Sequence, residues 1–216
     1  MFFEELQIEV LKLLVHDWPR VIAFDVESKV PSPSSFLTNE RILSISFARR
    51  DSGGFGSAQG IETKTLFLNE ETDESETNLL KSFDSILVSI RPLCVIGYGL
   101  RQYDIPLLCV KKQRHSLLLW KLIDMCESAV HIDLYHLLKY KHYKKFDDAL
   151  NSPEFSHLPL KKTKGLVPTD RNEKSKEIYR LWKEDRERLR RYAEGEVHDM
   201  LLIAEEILKK GLQTQN

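Results

Sequence analysis

Val21-Ile22-Ala23-Phe24-Asp25-Val26-Glu27 is an apolar run of strand character that ends in two carboxylates spaced i, i+2. In a strand that spacing turns both side chains to the same face, so Asp25 and Glu27 are placed to hold a divalent ion between them. The pair in isolation says little, because the 33 acidic residues among 216 give about five acid-x-acid pairs by chance. What raises it is position. Carboxylates at the end of the first strongly apolar segment cannot be buried without a counter-ion or a metal; left in water, they are simply a solvated strand end.

Two further segments carry acids in a suggestive setting. In Gly97-Tyr98-Gly99-Leu100-Arg101-Gln102-Tyr103-Asp104-Ile105-Pro106, the buried-type strand Cys94-Val95-Ile96 runs into a turn and then an aromatic-Asp-Ile-Pro step. Taken alone, Asp104 is a first-turn helix residue, since Asp and Pro both suit a helix start. Tyr192-Ala193-Glu194-Gly195-Glu196-Val197-His198-Asp199 lies inside a long helical stretch, where Tyr192 alone reads as a core aromatic. A strand end, a helix start and a late helix can converge on one cleft. Their ordered combination is the pattern of a metal-dependent phosphodiesterase.

The segment from Asp73 to Leu108, with Leu79-Leu80, Phe83, Ile86, Val95-Ile96-Gly97-Tyr98 and Tyr103-Asp104-Ile105-Pro106, resembles the second motif of the DEDD-type 3'-5' exonucleases, tyrosine subclass. The resemblance is to the proofreading domain of family B DNA polymerases and its stand-alone relatives. Phe24-Asp25-Val26-Glu27 resembles the first motif of that family, and Tyr192 to Glu196 the third. The likeness runs from about Val21 to Leu208. It implies one exonuclease-like domain over residues 1–216, with an α/β, ribonuclease H-like mixed sheet of about five strands flanked by helices. It further implies hydrolysis of 3'-terminal phosphodiesters with two Mg2+ or Mn2+ ions. Asp25 would bridge both ions, Glu27 and Glu196 would complete the site holding the nucleophilic water, and Asp104 would act through a water on the second ion. Tyr192 would orient the attacking water, being a poor general base at an unperturbed pKa of about 10. The implied partner is single-stranded DNA or a DNA 3' end. RNA stays open, because nothing in the sequence reads a 2'-hydroxyl.

Two positions depart from the family. Glu196 stands where it has Asp, and Gly99 where it usually has Asn. Glu196 shares the helical face of Tyr192, and so does Asp199, the runner-up ligand. The longer Glu arm sits less easily in a magnesium octahedron, which points to weak or manganese-biased activity. The alternative is an exonuclease fold that binds nucleic acid or protein without cutting.

Composition excludes several classes. No apolar run approaches membrane-spanning length, and Met1-Phe2-Phe3-Glu4-Glu5 lacks the basic-then-apolar order of a signal peptide. A cytoplasmic domain with one core is the expectation. Cys94, Cys109 and Cys126 read as reduced core residues in apolar surroundings, and His131, His136 and His142 lack zinc-ligand spacing. A net charge of -1 argues against binding through a global positive field. Locally, Lys139, Lys141, Lys144 and Lys145 interleave with Tyr140, His142, Tyr143 and Phe146. That mixture suits phosphates and stacked bases of a single strand, with Lys141, Lys144 and Lys145 as the phosphate contacts; a solvated face is the plainer reading.

Periodicity predicts an amphipathic helix over Phe3 to Val15, strands at Val21–Val26, Arg41–Ala48, Lys64–Leu68 and Leu93–Gly97, and helices at Glu74–Ile90 and Asp104–Leu119. A short strand at His131–Leu134 leads into a helix. Asn151 to Asn172, polar and carrying three prolines, reads as a mobile surface segment. Ile178 to Leu208 reads as one helix, broken near Gly195.

Overall fold

The computed structural model describes residues 15–31, 37–51, 54–56 and 60–213. The helix expected over Phe3 to Val15 falls outside them but for Val15, which opens a 3-10 turn. Among the described residues five strands form one sheet: β1 (Val21–Lys29), β2 (Arg41–Arg50), β3 (Ile61–Phe67), β4 (Cys94–Gly97) and β5 (Val130–Asp133). Their order is β3-β2-β1-β4-β5. The β3-β2-β1 meander is antiparallel, and β1, β4 and β5 run parallel, so the sheet is mixed as expected.

Alternation along β1 splits the core into two. Ile22, Phe24 and Val26 join the apolar cluster of helix α1 (Asp73–Ile90), with Phe24 and Phe83 rings 6.2 Å apart. Val21 and Ala23 belong instead to the cluster of the long helix α7 (Arg186–Gln213), with Val197, Met200 and Leu201. β1 continues past both of its carboxylates, so Asp25 and Glu27 lie inside the strand rather than at its tip. Immediately after them the ladder slips: Glu27 pairs with Ser44 and Ser28 with Ile42, leaving Leu43 on β2 without a counterpart. Such a bulge sharpens the local twist and re-aims side chains.

The other helices among the described residues are α2 (Asp104–Arg114), α3 (Trp120–Glu127), α4 (Leu134–Tyr140), α5 (Phe146–Leu150) and α6 (Arg171–Glu184). α1 begins where Thr72 accepts the Ser75 N–H at 3.1 Å and stops at Arg91, in the left-handed conformation, just before Pro92. The single helix expected over Asp104 to Leu119 ends at Arg114, with Ser116 at φ 50°. α3 starts anew because Asp84 of α1 accepts the Leu122 N–H at 2.7 Å, a cap supplied from 38 residues away.

Residues Asn151 to Asn172 are not a loose segment. Phe155 and Val167 are buried, two 3-10 turns (Pro153–Phe155 and Thr163–Leu166) punctuate the stretch, and α7 grips it at several points. The last helical region is two helices whose break falls at Asp185, which accepts the Arg188 N–H at 3.0 Å as the cap of α7. α7 runs unbroken through Gly195. The bare glycine serves close approach instead: a Cβ there would lie 2.5 Å from Thr163 Cγ2. The cysteines also differ from expectation, since only Cys94 is buried; Cys109 is exposed and Cys126 intermediate.

Candidate metal centre

Asp25, Glu27, Asp104 and Glu196 are 9%, 5%, 2% and 3% exposed, and all four line one cleft of about 310 Å³ at the end of β1. β1 aims Asp25 and Glu27 to one face, and α7 lays Glu196 across them. Each of these three offers an oxygen within 4.8 Å of the others. Asp104 lies outside that triad; its carboxylate accepts the backbone N–H of Val26, between the two strand acids.

The turn that launches α2 is built by a residue sequence reading passed over. Asp133, at the end of β5, accepts the Gly99 N–H at 2.8 Å, the Arg101 N–H at 3.3 Å and the Tyr135 N–H at 3.0 Å. Its only sequence signal is that of an N-cap ahead of Leu134-Tyr135-His136-Leu137. Gly99, at φ 78°, supplies the left-handed turn, a conformation that Asn is among the few other residues to tolerate. Tyr103 completes this wall, with its hydroxyl bonded to Glu40 and Ser28.

The second residue missed is Lys174. Ser175 ties the start of α6 to the end of β1, accepting the Val30 N–H at 2.9 Å. Its neighbour Lys174 thereby reaches into the cleft, with Nζ 2.9 Å from Glu27 Oε1 and 5.4 Å from the Tyr192 ring centroid. Burial works against the Lys174 charge, but the Glu27, Glu196 and Asp25 carboxylates outweigh it and hold the ammonium well above its ordinary range. Asp104 goes the other way: burial first, then the Asp25 and Glu27 charges, raise it well above an ordinary carboxyl. Tyr192, buried and facing Glu196, is raised well above 10.0 and stays a phenol.

Four carboxylates facing one ammonium leave negative charge to be neutralised. Hard oxygen donors at this spacing can hold a metal ion, and Asp25, Glu27 and Glu196 are the ligands the geometry offers. Asp199 is placed elsewhere: its oxygens accept the Lys161 and Lys162 N–H groups, each at 2.8 Å, and it does not line the cleft. A second cluster, Asp73, Glu76 and His115, is also tight enough for a cation. There the protein supplies its own positive charge, with Arg41 3.2 Å and Lys111 3.9 Å from Glu76.

A second cavity of about 280 Å³ adjoins the cleft, sharing Tyr98 and Lys174 with it and adding Lys145 and Tyr192. Of the three lysines singled out in the sequence, Lys145 alone lines this cavity. Lys141 pairs with Glu154 at 2.9 Å, and Lys144 is exposed.

A five-stranded mixed sheet flanked by helices is consistent with a ribonuclease H-like fold. The family B DNA polymerase of the hyperthermophilic archaeon Pyrobaculum calidifontis has a similar fold, with a TM-score of 0.65 over 87% of this chain and 18% identity. This chain spans 24% of the length of that one, and at such identity the likeness is one of fold. No protein-family model and no curated protein matches the sequence. Among the described residues no helix is long and apolar enough to cross a membrane.

Proposed function

We propose that this protein is a metal-dependent 3'-5' exonuclease that hydrolyses terminal phosphodiesters of nucleic acid, preferably single-stranded DNA, by a two-metal mechanism. The observation that carries the reading is the buried meeting of Asp25, Glu27 and Glu196 from two distant parts of the chain, with one ammonium among them. The order of the three sequence motifs and the likeness to part of a family B polymerase support it.

In this reading Asp25, Glu27 and Glu196 would hold the metal, with Asp104 in support. Bound divalent ions would supply an activated water and charge stabilisation for the leaving oxygen. Tyr192 donates a hydrogen bond that orients the attacking water; as a phenol far from ionisation it does not take the proton. Lys174 neutralises Glu27 and sits where the cleft joins the second cavity, beside the path of a phosphate backbone. Lys145 contacts a phosphate of the single strand, whereas Lys141 stays committed to Glu154.

A second reading, a nucleic-acid- or protein-binding module without catalysis, is favoured by one observation: the Lys174 ammonium already sits on an oxygen a metal needs. The test is cleavage of 3'-labelled single-stranded DNA and RNA with Mg2+ and with Mn2+. Asp25→Ala and Glu196→Gln should each lower the rate by more than about 100-fold, since even groups behind metal ligands act on a 10- to 100-fold scale. Asp199→Asn should retain cleavage. A dead Asp199→Asn beside an active Glu196→Gln would reassign the ligand. A wild type inert with both metals that still binds single strands would establish the second reading.

A further inference from the structure

Cys109 lies midway along α2 and Cys126 near the end of α3, and the two helices meet so that these thiols hydrogen-bond to each other. Both line one cavity of about 10 Å³, together with Leu122 and Lys112. That is room for a single water at most, and the two cysteines share its wall. The two are unequal. Cys109 is exposed at the surface, and Cys126 sits behind it, partly buried.

Their chemistry is unequal as well. The hydrogen bond from Cys126 is the largest influence on Cys109; with help from Lys112 it outweighs burial and holds the thiol at about 7. Cys126 is pushed up by the same bond and by burial, and stays a thiol. An exposed thiol that ionises near neutrality is the reactive kind, and a second thiol within reach is what resolves its oxidised form.

We propose that Cys109 and Cys126 are an oxidisable dithiol that hydrogen peroxide or an organic hydroperoxide converts to a disulfide, stapling α2 to α3. The Cys109 thiolate attacks the terminal peroxide oxygen and the O–O bond breaks. The product is a sulfenic acid, and the departing oxygen takes a proton to leave as water or an alcohol. The Cys126 sulfur then attacks Cys109 sulfur, the S–O bond breaks, and the hydroxide leaves as water with the Cys126 proton. Two thiols lose two electrons, and the peroxide gains them. Nothing in this sequence draws on the metal cleft, so it stands apart from the nuclease reading. It does act on the helix whose first residue is Asp104.

The experiment treats the full chain with a few equivalents of hydrogen peroxide, quenches with an alkylating agent and maps peptides without reduction. The expected result is a Cys109–Cys126 linked peptide two hydrogens lighter than its parts, reversed by dithiothreitol. The bridge closes a loop of modest length, so the melting temperature should rise on the order of 5–10 °C. Cys109→Ser and Cys126→Ser should each abolish the rise. Recovery of both cysteines alkylated, of Cys109 sulfinic acid beside a Cys126 thiol, or of dimers linked through Cys109 would overturn the proposal. The wild-type peptide map decides it even if a serine variant fails to fold.

Discussion

Gly195→Ala sets two effects of opposite sign against each other inside α7. In an ordinary helix the change stabilises by about 1 kcal/mol, because glycine is the poorer helix former. Here the new Cβ would lie 2.5 Å from Thr163 Cγ2 and 2.9 Å from Thr163 Cβ. Carbon atoms prefer about 3.5–4.0 Å, so the 3-10 segment carrying Thr163 must retreat by roughly 1 Å. It has little freedom to do so. Asp199 holds the two preceding amides, Lys161 and Lys162, at 2.8 Å, and Thr163 Oγ1 donates to the Tyr192 carbonyl at 2.9 Å. Overpacking costs about 1–3 kcal/mol and the lost hydrogen bond about 1 kcal/mol. The clash wins, with a net loss of about 1–3 kcal/mol, or on the order of 5 °C in Tm for a chain of this size. Thermal and urea unfolding would measure it, and a cycle with Thr163→Ala would isolate it. With the Oγ1 and Cγ2 gone, Gly195→Ala should become cheaper by at least about 1 kcal/mol. A Gly195→Ala protein as stable as wild type, or an additive cycle, would refute the packing argument.

Lys145→Ala should weaken single-strand binding and lower its salt slope by about 0.7, one phosphate contact's worth. Lys141→Ala should act mainly on stability, through the loss of its Glu154 pair; equal slopes for both variants would return the lysines to a solvated face. Glu154 gives a pH test. Burial pushes it up, but hydrogen bonds from Lys141, Tyr143 and Lys210 outweigh that and hold it at about 2, below the usual 4.5. A carboxylate lowered on folding adds stability above its unfolded pKa and loses it as pH falls through the folded one. Wild type should therefore exceed Glu154→Gln by about 1 kcal/mol at pH 6, after allowance for screening. That advantage should fade between pH 4.5 and 2, and an advantage independent of pH would contradict the pairing.

What the sequence made legible were features of short range. Asp25 and Glu27 follow from the two-residue period of a strand, and Asp104 from a strand-turn-helix passage. Lys174 was invisible, because its place depends on Ser175 meeting Val30 across 145 residues. α3 was missed because its cap comes from Asp84 on another helix. Helical geometry made Asp199 a rival ligand, yet two backbone amides of a segment read as mobile take up its oxygens. Cysteine misled in the same way: apolar neighbours in sequence suggested burial, but Cys109 sits on the outward side of α2.

The slip in the β1–β2 ladder reaches further than its size. In a strand, one residue of surplus chain reverses the parity of everything beyond it. Leu43 is that residue, and beyond it lie Ile42, Arg41 and Glu40. With the slip in place, Glu40 meets Ser28 and Tyr103 at the rim of the cleft, while Arg41 reaches Asp73 and Glu76 on α1. Without it, Ile42 would turn away from the apolar cluster it shares with Leu43 and Ile45. A single uncounted position thus lets two successive residues of one strand, Ile42 and Leu43, feed the same side of the core.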